Sequence, residues 1–98
     1  MTVALRVRPE AEADIQEAAT WYEEQRAGLG HEFLDEVLRI FAGICAQPGQ
    51  YPIVHRKARR ALMHRFPFGV YYRVEQAFII VVAVMHGRRH PMRWKSKS

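Results

Sequence analysis

Basic side chains are concentrated in the second half of this 98-residue sequence. Residues 51–98 carry eleven Lys and Arg and one carboxylate, Glu75, whereas residues 1–50 carry four basic and nine acidic residues. The net charges of the two halves are therefore +10 and −5, and the whole chain has a net charge of +5. Guanidinium and ammonium groups bind phosphate and carboxylate oxygens through charge-assisted hydrogen bonds. The asymmetry predicts a surface that faces a polyanion or an acidic protein partner. The alternative is a solvated basic face without a specific ligand.

Other residue types that could do chemistry have simpler interpretations. His86 and His90 do not make a metal site, because a Gly and a Pro lie in their segment and no Cys or carboxylate is near. Cys45 is interpreted as a small core residue of a helix. Gly28 and Gly30 lie between helices and not after a strand, so they do not form a phosphate-binding loop. We expect no metal and no cofactor.

Length and composition indicate one globular domain over residues 1–98. The sequence is 49% hydrophobic and 26% charged, and its single cysteine excludes an internal disulfide. The longest apolar run, residues 77–85, is about half of the ~20 residues that span a bilayer. The first eight residues are too few and too charged for a signal peptide. We therefore expect a cytoplasmic protein without membrane contact, and a loose tail over residues 93–98.

Two helices are predicted after a short first strand at residues 3–8. Pro9 suits the first helical position, and apolar residues at a helical spacing extend this helix to about residue 25. A glycine-bracketed turn leads to a second helix over about residues 30–46, whose wide apolar stripe indicates deeper burial. Tyr22 is interpreted as a core aromatic residue, whereas Trp21 lies off the apolar stripe and could line a groove or a dimer contact.

The remaining sequence is typical of strands. Residues 59–66 alternate, Pro67 and Gly69 indicate a bend or bulge, and residues 70–74 are rich in strand-forming types. A hairpin turn at residues 75–77 precedes residues 78–85, which we expect to be a strand buried on both faces. The predicted fold is α+β, a two-helix hairpin packed on a small, mostly antiparallel sheet, in the order β-α-α-β-β-β. The first strand is free to pair in parallel with the last.

Several short motifs follow one another along the chain: Ala13-Asp14-Ile15, Trp21-Tyr22-Glu23, Gly28-Leu29-Gly30, Phe33-Leu34, Pro48, Tyr51-Pro52, Arg65-Phe66-Pro67-Phe68-Gly69-Val70-Tyr71-Tyr72-Arg73, Val84-Met85-His86-Gly87-Arg88-Arg89-His90-Pro91 and Trp94. In this order and spacing they resemble the RelE/ParE superfamily of toxins from type II toxin–antitoxin modules. The resemblance covers nearly the whole chain and is strongest to the ParE-like branch, often labelled plasmid stabilisation proteins. It implies a small cytoplasmic toxin held inactive by a cognate antitoxin, usually encoded beside it.

An antitoxin partner also fits the charge pattern. An acidic, partly disordered antitoxin segment would order as it wraps the basic half, and the amphipathic helix pair offers it an apolar groove. We expect a toxin–antitoxin hetero-oligomer. The residues expected to bind the antitoxin or the target are Trp21, Arg59, Arg65, Arg73, Arg88, Arg89 and Trp94.

The resemblance leaves two targets open. ParE-like members poison DNA gyrase and are not nucleases, whereas RelE-like members cut messenger RNA on the ribosome. In a nuclease, arginines would clamp phosphate and a histidine would exchange protons. The positions that match the catalytic residues of the RelE-like enzymes are Arg60, Arg65, Arg73, His86 and Arg89.

Gyrase inhibition is favoured, because no tyrosine follows Arg89 and Trp94 cannot exchange a proton. The alternatives are a ribosome-dependent endoribonuclease, a degenerate toxin or one with another target, and a non-toxic module whose basic sheet face binds nucleic acid. Arg65 or Arg73 could instead pair with Glu75 or with acidic residues of the helices. His86 could equally be a structural histidine.

Overall fold

Two helices pack on one face of a five-stranded sheet in the computed structural model, which describes residues 4–87. The elements in chain order are β1 (Ala4–Val7), α1 (Pro9–Gln25), α2 (Leu29–Ala46), a 3-10 turn (Pro48–Gln50), β2 (Ile53–His55), β3 (Ala58–Leu62), β4 (Phe68–Val74) and β5 (Phe78–His86). Within residues 4–87 neither helix is long and apolar enough to cross a membrane. The α+β class and the order of the predicted elements are confirmed, and the chain adds one short strand, β2.

Glu23 closes the helical hairpin. Its carboxylate accepts hydrogen bonds from the backbone N–H groups of Gly28 at 2.9 Å and Gly30 at 3.0 Å. Gly28 has a φ of 91°, which a glycine adopts without the clash a Cβ would cause. A Cβ on Gly30 would lie 2.5 Å from the carbonyl oxygen of Ala19, so the two helices approach too closely for a side chain there. Both glycines of the predicted turn are therefore required by the backbone.

The sheet has the strand order β1-β5-β4-β3-β2. The first and last strands pair in parallel and the other pairs are antiparallel. The strand predicted over residues 59–66 runs only from Ala58 to Leu62, because residues 63–67 turn away before Pro67. The extra strand β2 has only three residues, which is too short for an alternating pattern to be recognised in the sequence.

A bulge in β5 changes which side chains face the helices. Tyr71 pairs with Ala83 but Tyr72 pairs with Val81, so β5 carries one extra residue, Val82, between them. Such a bulge shifts the alternation of every later side chain by one face. Val84 therefore packs in the helix-side core, together with Val81.

The sheet buries apolar side chains on both faces, as predicted for β5. The helix-side core joins both helices to the inner face, with Phe33, Ile44 and Tyr72 among its fully buried members. A second apolar cluster lies on the opposite face, called the outer face below, and contains no helical residue; its members are Ala58, Tyr71, Val82, Ala83 and Met85, with Val54 and Ile80 at its margin.

Candidate partner-binding site

A cleft of about 380 Å³ opens between α1 and the ends of β4 and β5. Trp21 stands at this cleft with 55% of its surface exposed, which is unusual for a tryptophan. Trp21 lies off the buried stripe, as predicted, and the cleft that it lines is formed by α1 and the sheet and not by the two helices. The residues lining the cleft are Asp14, Glu17, Ala18, Trp21, Tyr22, Pro67, Phe68, Val84, Met85 and His86.

An aromatic cluster supports Trp21 from below. Tyr22 contacts Trp21 edge-to-face at 5.1 Å between ring centroids, and contacts Phe33 at 5.4 Å and Phe66 at 4.7 Å. Phe33 and Phe66 also meet edge-to-face at 5.2 Å. Tyr22 is therefore a core aromatic residue, as predicted. These ring contacts fix the wall on which Trp21 rests, so its indole is presented in a defined place.

Asp14 positions the strand that forms the other wall. Its side chain is 6% exposed, and its carboxylate accepts a hydrogen bond from the backbone N–H of Val84 at 3.0 Å. β1 ends at Val7, which pairs with Val81, so Val84 lies beyond the end of that neighbouring strand. Asp14 thus supplies an acceptor where the parallel strand has ended. No such role of Asp14 was predicted from the sequence.

His86 lies in the cleft on the helix side of the sheet. Its ring contacts Phe68 edge-to-face at 5.6 Å. In a regular strand His86 would share a face with Ile80, since side chains alternate with a period of two. The bulge at Val82 reverses this and turns His86 towards α1.

Carboxylates of α2 hold the loop of residues 63–67. Glu36, only 3% exposed, accepts hydrogen bonds from the backbone N–H groups of His64 at 2.5 Å and Arg65 at 3.1 Å. The guanidinium of Arg65 pairs with Glu32, and this hydrogen bond lowers the pKa of Glu32 and raises the pKa of Arg65. Arg65 is therefore paired with an acidic residue of a helix, as one of the alternative interpretations predicted.

Arg59 and Tyr72 secure the segment that follows α2. Arg59 donates to the carbonyl oxygens of Tyr51 at 2.5 Å and Gly49 at 3.3 Å. The Tyr72 hydroxyl donates to the carbonyl oxygen of Pro48 at 2.6 Å, and burial raises its pKa to about 12. Arg59, one of the predicted binding residues, is thus engaged with backbone carbonyls.

Arg60 and Arg73 lie on the outer face of the sheet. Arg60 pairs with Tyr71 across the ladder, and Arg73 pairs with Ile80, and both partners belong to the outer-face cluster. The Nε–H of each arginine is buried and has no hydrogen-bond acceptor within the part of the chain that the structure describes. The stem of Arg60 lies over Gly69, where a Cβ would come within 3.2 Å of its Cγ.

The candidate catalytic residues are therefore divided between the two faces of the sheet. Arg60 and Arg73 are on the outer face, whereas His86 faces α1 and Arg65 is paired with α2. Arg88, Arg89 and Trp94, also predicted to act in binding or catalysis, lie outside the described residues.

Two buried carboxylates, Asp14 and Glu36, were missed by sequence reasoning, although a signal exists. Each occupies a position in phase with the apolar stripe of its helix, between Ala11 and Ala18 on α1 and between Phe33 and Ile40 on α2. A carboxylate on a buried stripe predicts a backbone or charged partner. Within residues 4–87, no group of three His, Cys, Asp or Glu is placed to hold a metal ion.

Residues 5–91 match the family model described as the ParE toxin of the type II toxin-antitoxin system, parDE. The chain belongs to the ParE toxin family. None of the curated proteins that were compared with the chain matches it.

A solved structure shares the ParE fold described here. It is described as the chromosomal ParDE TA system from P. aeruginosa, and it superposes with a TM-score of 0.78 over 87% of this chain and 96% of the other. The sequences are 16% identical, so the similarity shows the fold alone. The resemblance to a ParE-like toxin that the sequence motifs indicate is thereby confirmed.

Proposed function

We propose that this ParE-family chain is a toxin that inhibits DNA gyrase and is neutralised by a cognate antitoxin. The observation that carries the proposal is the division of the candidate catalytic residues between the two faces of the sheet. General acid–base catalysis needs its groups within hydrogen-bond reach of one reacting centre. A protein–protein mechanism makes no such demand, so this geometry favours it over RNA cleavage.

The cleft at Trp21 is the proposed antitoxin site. Exposed tryptophans that rest on a fixed wall are typical anchors of protein interfaces. A partner segment that seats apolar side chains beside Trp21 and Phe68 would bury apolar surface that is now exposed to water or half-exposed. The similar solved structure comes from a ParDE toxin–antitoxin system, which supports an antitoxin as this partner.

The engagement of Arg65 also argues against a nuclease. Its guanidinium pairs with Glu32 and its carbon atom Cζ lies 5.5 Å from the Phe66 ring centroid. A transition-state clamp needs a guanidinium whose hydrogen bonds strengthen at the reacting phosphate. Arg65 instead holds residues 63–67 against α2, and this role does not require RNA.

The decisive experiment measures both targets side by side. The purified chain is added to a gyrase supercoiling reaction and to a translation reaction with labelled messenger RNA. Inhibition of supercoiling with intact messenger RNA is expected, and His86→Ala should retain the inhibition. Cleaved messenger RNA with unaffected supercoiling would identify a RelE-like nuclease, and His86→Ala should then abolish cleavage. If neither reaction responds, the proposal is wrong.

The antitoxin part is tested separately. Trp21→Ala should weaken the complex with the antitoxin encoded beside the toxin, measured by calorimetry. Thr20→Ala, an exposed neighbour on the same helix, is the matched control. Equal affinities for both variants would place the antitoxin elsewhere on the chain.

A further inference from the structure

A strained residue forms the tip of the β2–β3 hairpin. Only Arg56 and Lys57 connect His55 to Ala58, and Arg56 has a φ of 51°, in the left-handed region. Gly and Asn are the residues that suit such two-residue turns, because glycine has no Cβ and the short polar side chain of asparagine can hydrogen-bond to the nearby backbone. Backbone strain is retained where the surrounding structure or a function requires the residue. Here the residue retained at the strained position is an arginine with an exposed side chain.

Two more arginines lie on the outer face at the same end of the sheet. Ile80 pairs with Arg6 on one side and with Arg73 on the other. The Cα atoms of the two arginines are therefore about 10 Å apart, which is twice the spacing of neighbouring strands. On the neighbouring strand β3, Ala58 lies opposite Arg73, because the adjacent pair of this antiparallel ladder joins Arg59 and Tyr72. The Arg56–Lys57 turn immediately precedes Ala58 in the chain. Arg6, Arg73, Arg56 and Lys57, called the basic row below, thus follow one another across this end.

Few acidic and few exposed apolar side chains lie near the basic row. The one carboxylate of residues 51–98, Glu75, lies at the same end and is half-buried. Ala58, which separates Arg73 from the tip, is fully buried, and Ile80 is half-buried. The buried Nε–H of Arg73 has no acceptor within residues 4–87. The partly exposed ring of Phe78 lies at this end as well, but the Arg6 guanidinium covers it, with its carbon atom Cζ 4.5 Å from the ring centroid. This surface therefore offers mainly cationic donors.

We propose that the basic row binds the phosphate backbone of duplex DNA. The choice of DNA over another duplex rests on the proposed function, since gyrase acts on DNA. Phosphate contacts are electrostatic and independent of sequence, so they need cationic donors and no pocket. A peptide partner would need accessible apolar anchors; the Trp21 cleft provides them, whereas at this end the Phe78 ring is covered by Arg6.

A single strand fits less well than a duplex. Proteins that hold single-stranded nucleic acid stack its bases on exposed aromatic side chains. Tyr71, the aromatic residue of the outer-face cluster, is only 2% exposed and offers no ring face. The partly exposed ring of Phe78 is occupied by the Arg6 guanidinium, whose carbon atom Cζ lies 4.5 Å from the ring centroid. The cleft lies at the opposite end of β5, so the antitoxin and the duplex would contact separate ends of the sheet.

The test is the salt dependence of binding between the purified full chain and a short DNA duplex of mixed sequence, without gyrase. Each phosphate contact contributes about 0.9 to the slope of log affinity against log salt concentration. Arg56→Asn should lower that slope by about 0.9, and Arg73→Gln by a similar amount. Arg56→Asn should also raise the midpoint of thermal unfolding by roughly 2–6 °C, because asparagine tolerates the left-handed conformation. Loss of binding in a more stable variant separates function from misfolding.

Arg39→Gln on α2 is the matched control, because it removes the same charge from an exposed position on the helix layer. An equal loss of slope in Arg39→Gln would show that net charge alone drives binding and would overturn the proposal. So would unchanged slopes in Arg56→Asn and Arg73→Gln, or stronger binding to polyglutamate than to the duplex. Because gyrase is absent, duplex binding can fail while gyrase inhibition persists, and the reverse outcome is equally visible.

Discussion

Replacing Glu36 by alanine removes the carboxylate that ties α2 to the loop of residues 63–67. This carboxylate is 3% exposed and accepts the backbone N–H groups of His64 and Arg65. In Glu36→Ala both donors lose their acceptor, and the loop must bind water or change its conformation. The loop connects β3 to β4 and includes Pro67, which lines the Trp21 cleft. Loss of this tie should therefore affect both stability and the partner site.

The size of the effect follows from the two hydrogen bonds. A hydrogen bond to a charged group contributes about 1.5–3 kcal/mol, and the lower value applies here because His64 and Arg65 are themselves exposed. We expect Glu36→Ala to lower the free energy of unfolding by about 3 kcal/mol. Glu36→Gln keeps a neutral acceptor, for which the bonds are about half as strong, so it should lose about 1.5 kcal/mol. Domains of this kind are stable by about 5–15 kcal/mol, so the first loss is a large share.

Urea denaturation followed by fluorescence of the aromatic residues measures these losses. Asp35→Asn is the control, since Asp35 precedes Glu36 on the same helix, is exposed and contacts His31 at 3.7 Å. Its effect should stay within about 0.5 kcal/mol. A loss below about 1 kcal/mol in Glu36→Ala would refute the role assigned to the carboxylate, as would equal losses in the alanine and glutamine variants.

Three further outcomes are expected. Trp21→Ala should leave stability almost unchanged, because the side chain is 55% exposed, but should weaken antitoxin binding by at least tenfold in calorimetry. Tyr72 has a pKa of about 12 in the folded chain and about 10 in the unfolded chain. Its contribution to stability is therefore complete below pH 10 and is lost as the pH rises towards 12. Unfolding experiments on Tyr72→Phe should lack this alkaline dependence. The hydrogen bond from Arg65 lowers the pKa of Glu32 from its usual 4.5. The contribution of Glu32 to stability is therefore present above pH 4.5 and is lost as the pH falls. Acid unfolding of Glu32→Gln should lack this part of the pH dependence.

The helices could be predicted almost to the residue because their signals are local. Pro9 begins α1 and the glycine pair separates the helices, as expected from backbone preferences that involve few neighbours. β5 was also predictable, since a long apolar run rich in β-branched residues is typical of a strand buried on both faces. The short strand β2 was not, because it exists only through pairing with β3 at the sheet edge.

The candidate site was predictable in its residue types but not in its grouping. Trp21 was expected off the buried stripe, in a groove or a dimer contact, and Arg65 was considered as an ion-pair partner. Both expectations rest on helical spacing and charge. The roles of Asp14 and Glu36 depend on backbone groups 70 and 28 residues away along the chain. No local pattern identifies which distant N–H group a buried carboxylate will meet.

The sequence by itself determined the fold class, the two helices, the family and the excess of basic side chains in its second half. Only the tertiary structure decided which of those side chains meet. One extra residue in β5 turns His86 towards α1 and leaves Arg60 and Arg73 on the opposite face. A bulge of this kind is set by the pairing of two strands, and since alternation has a period of two, a shift of one residue moves every later side chain to the other face.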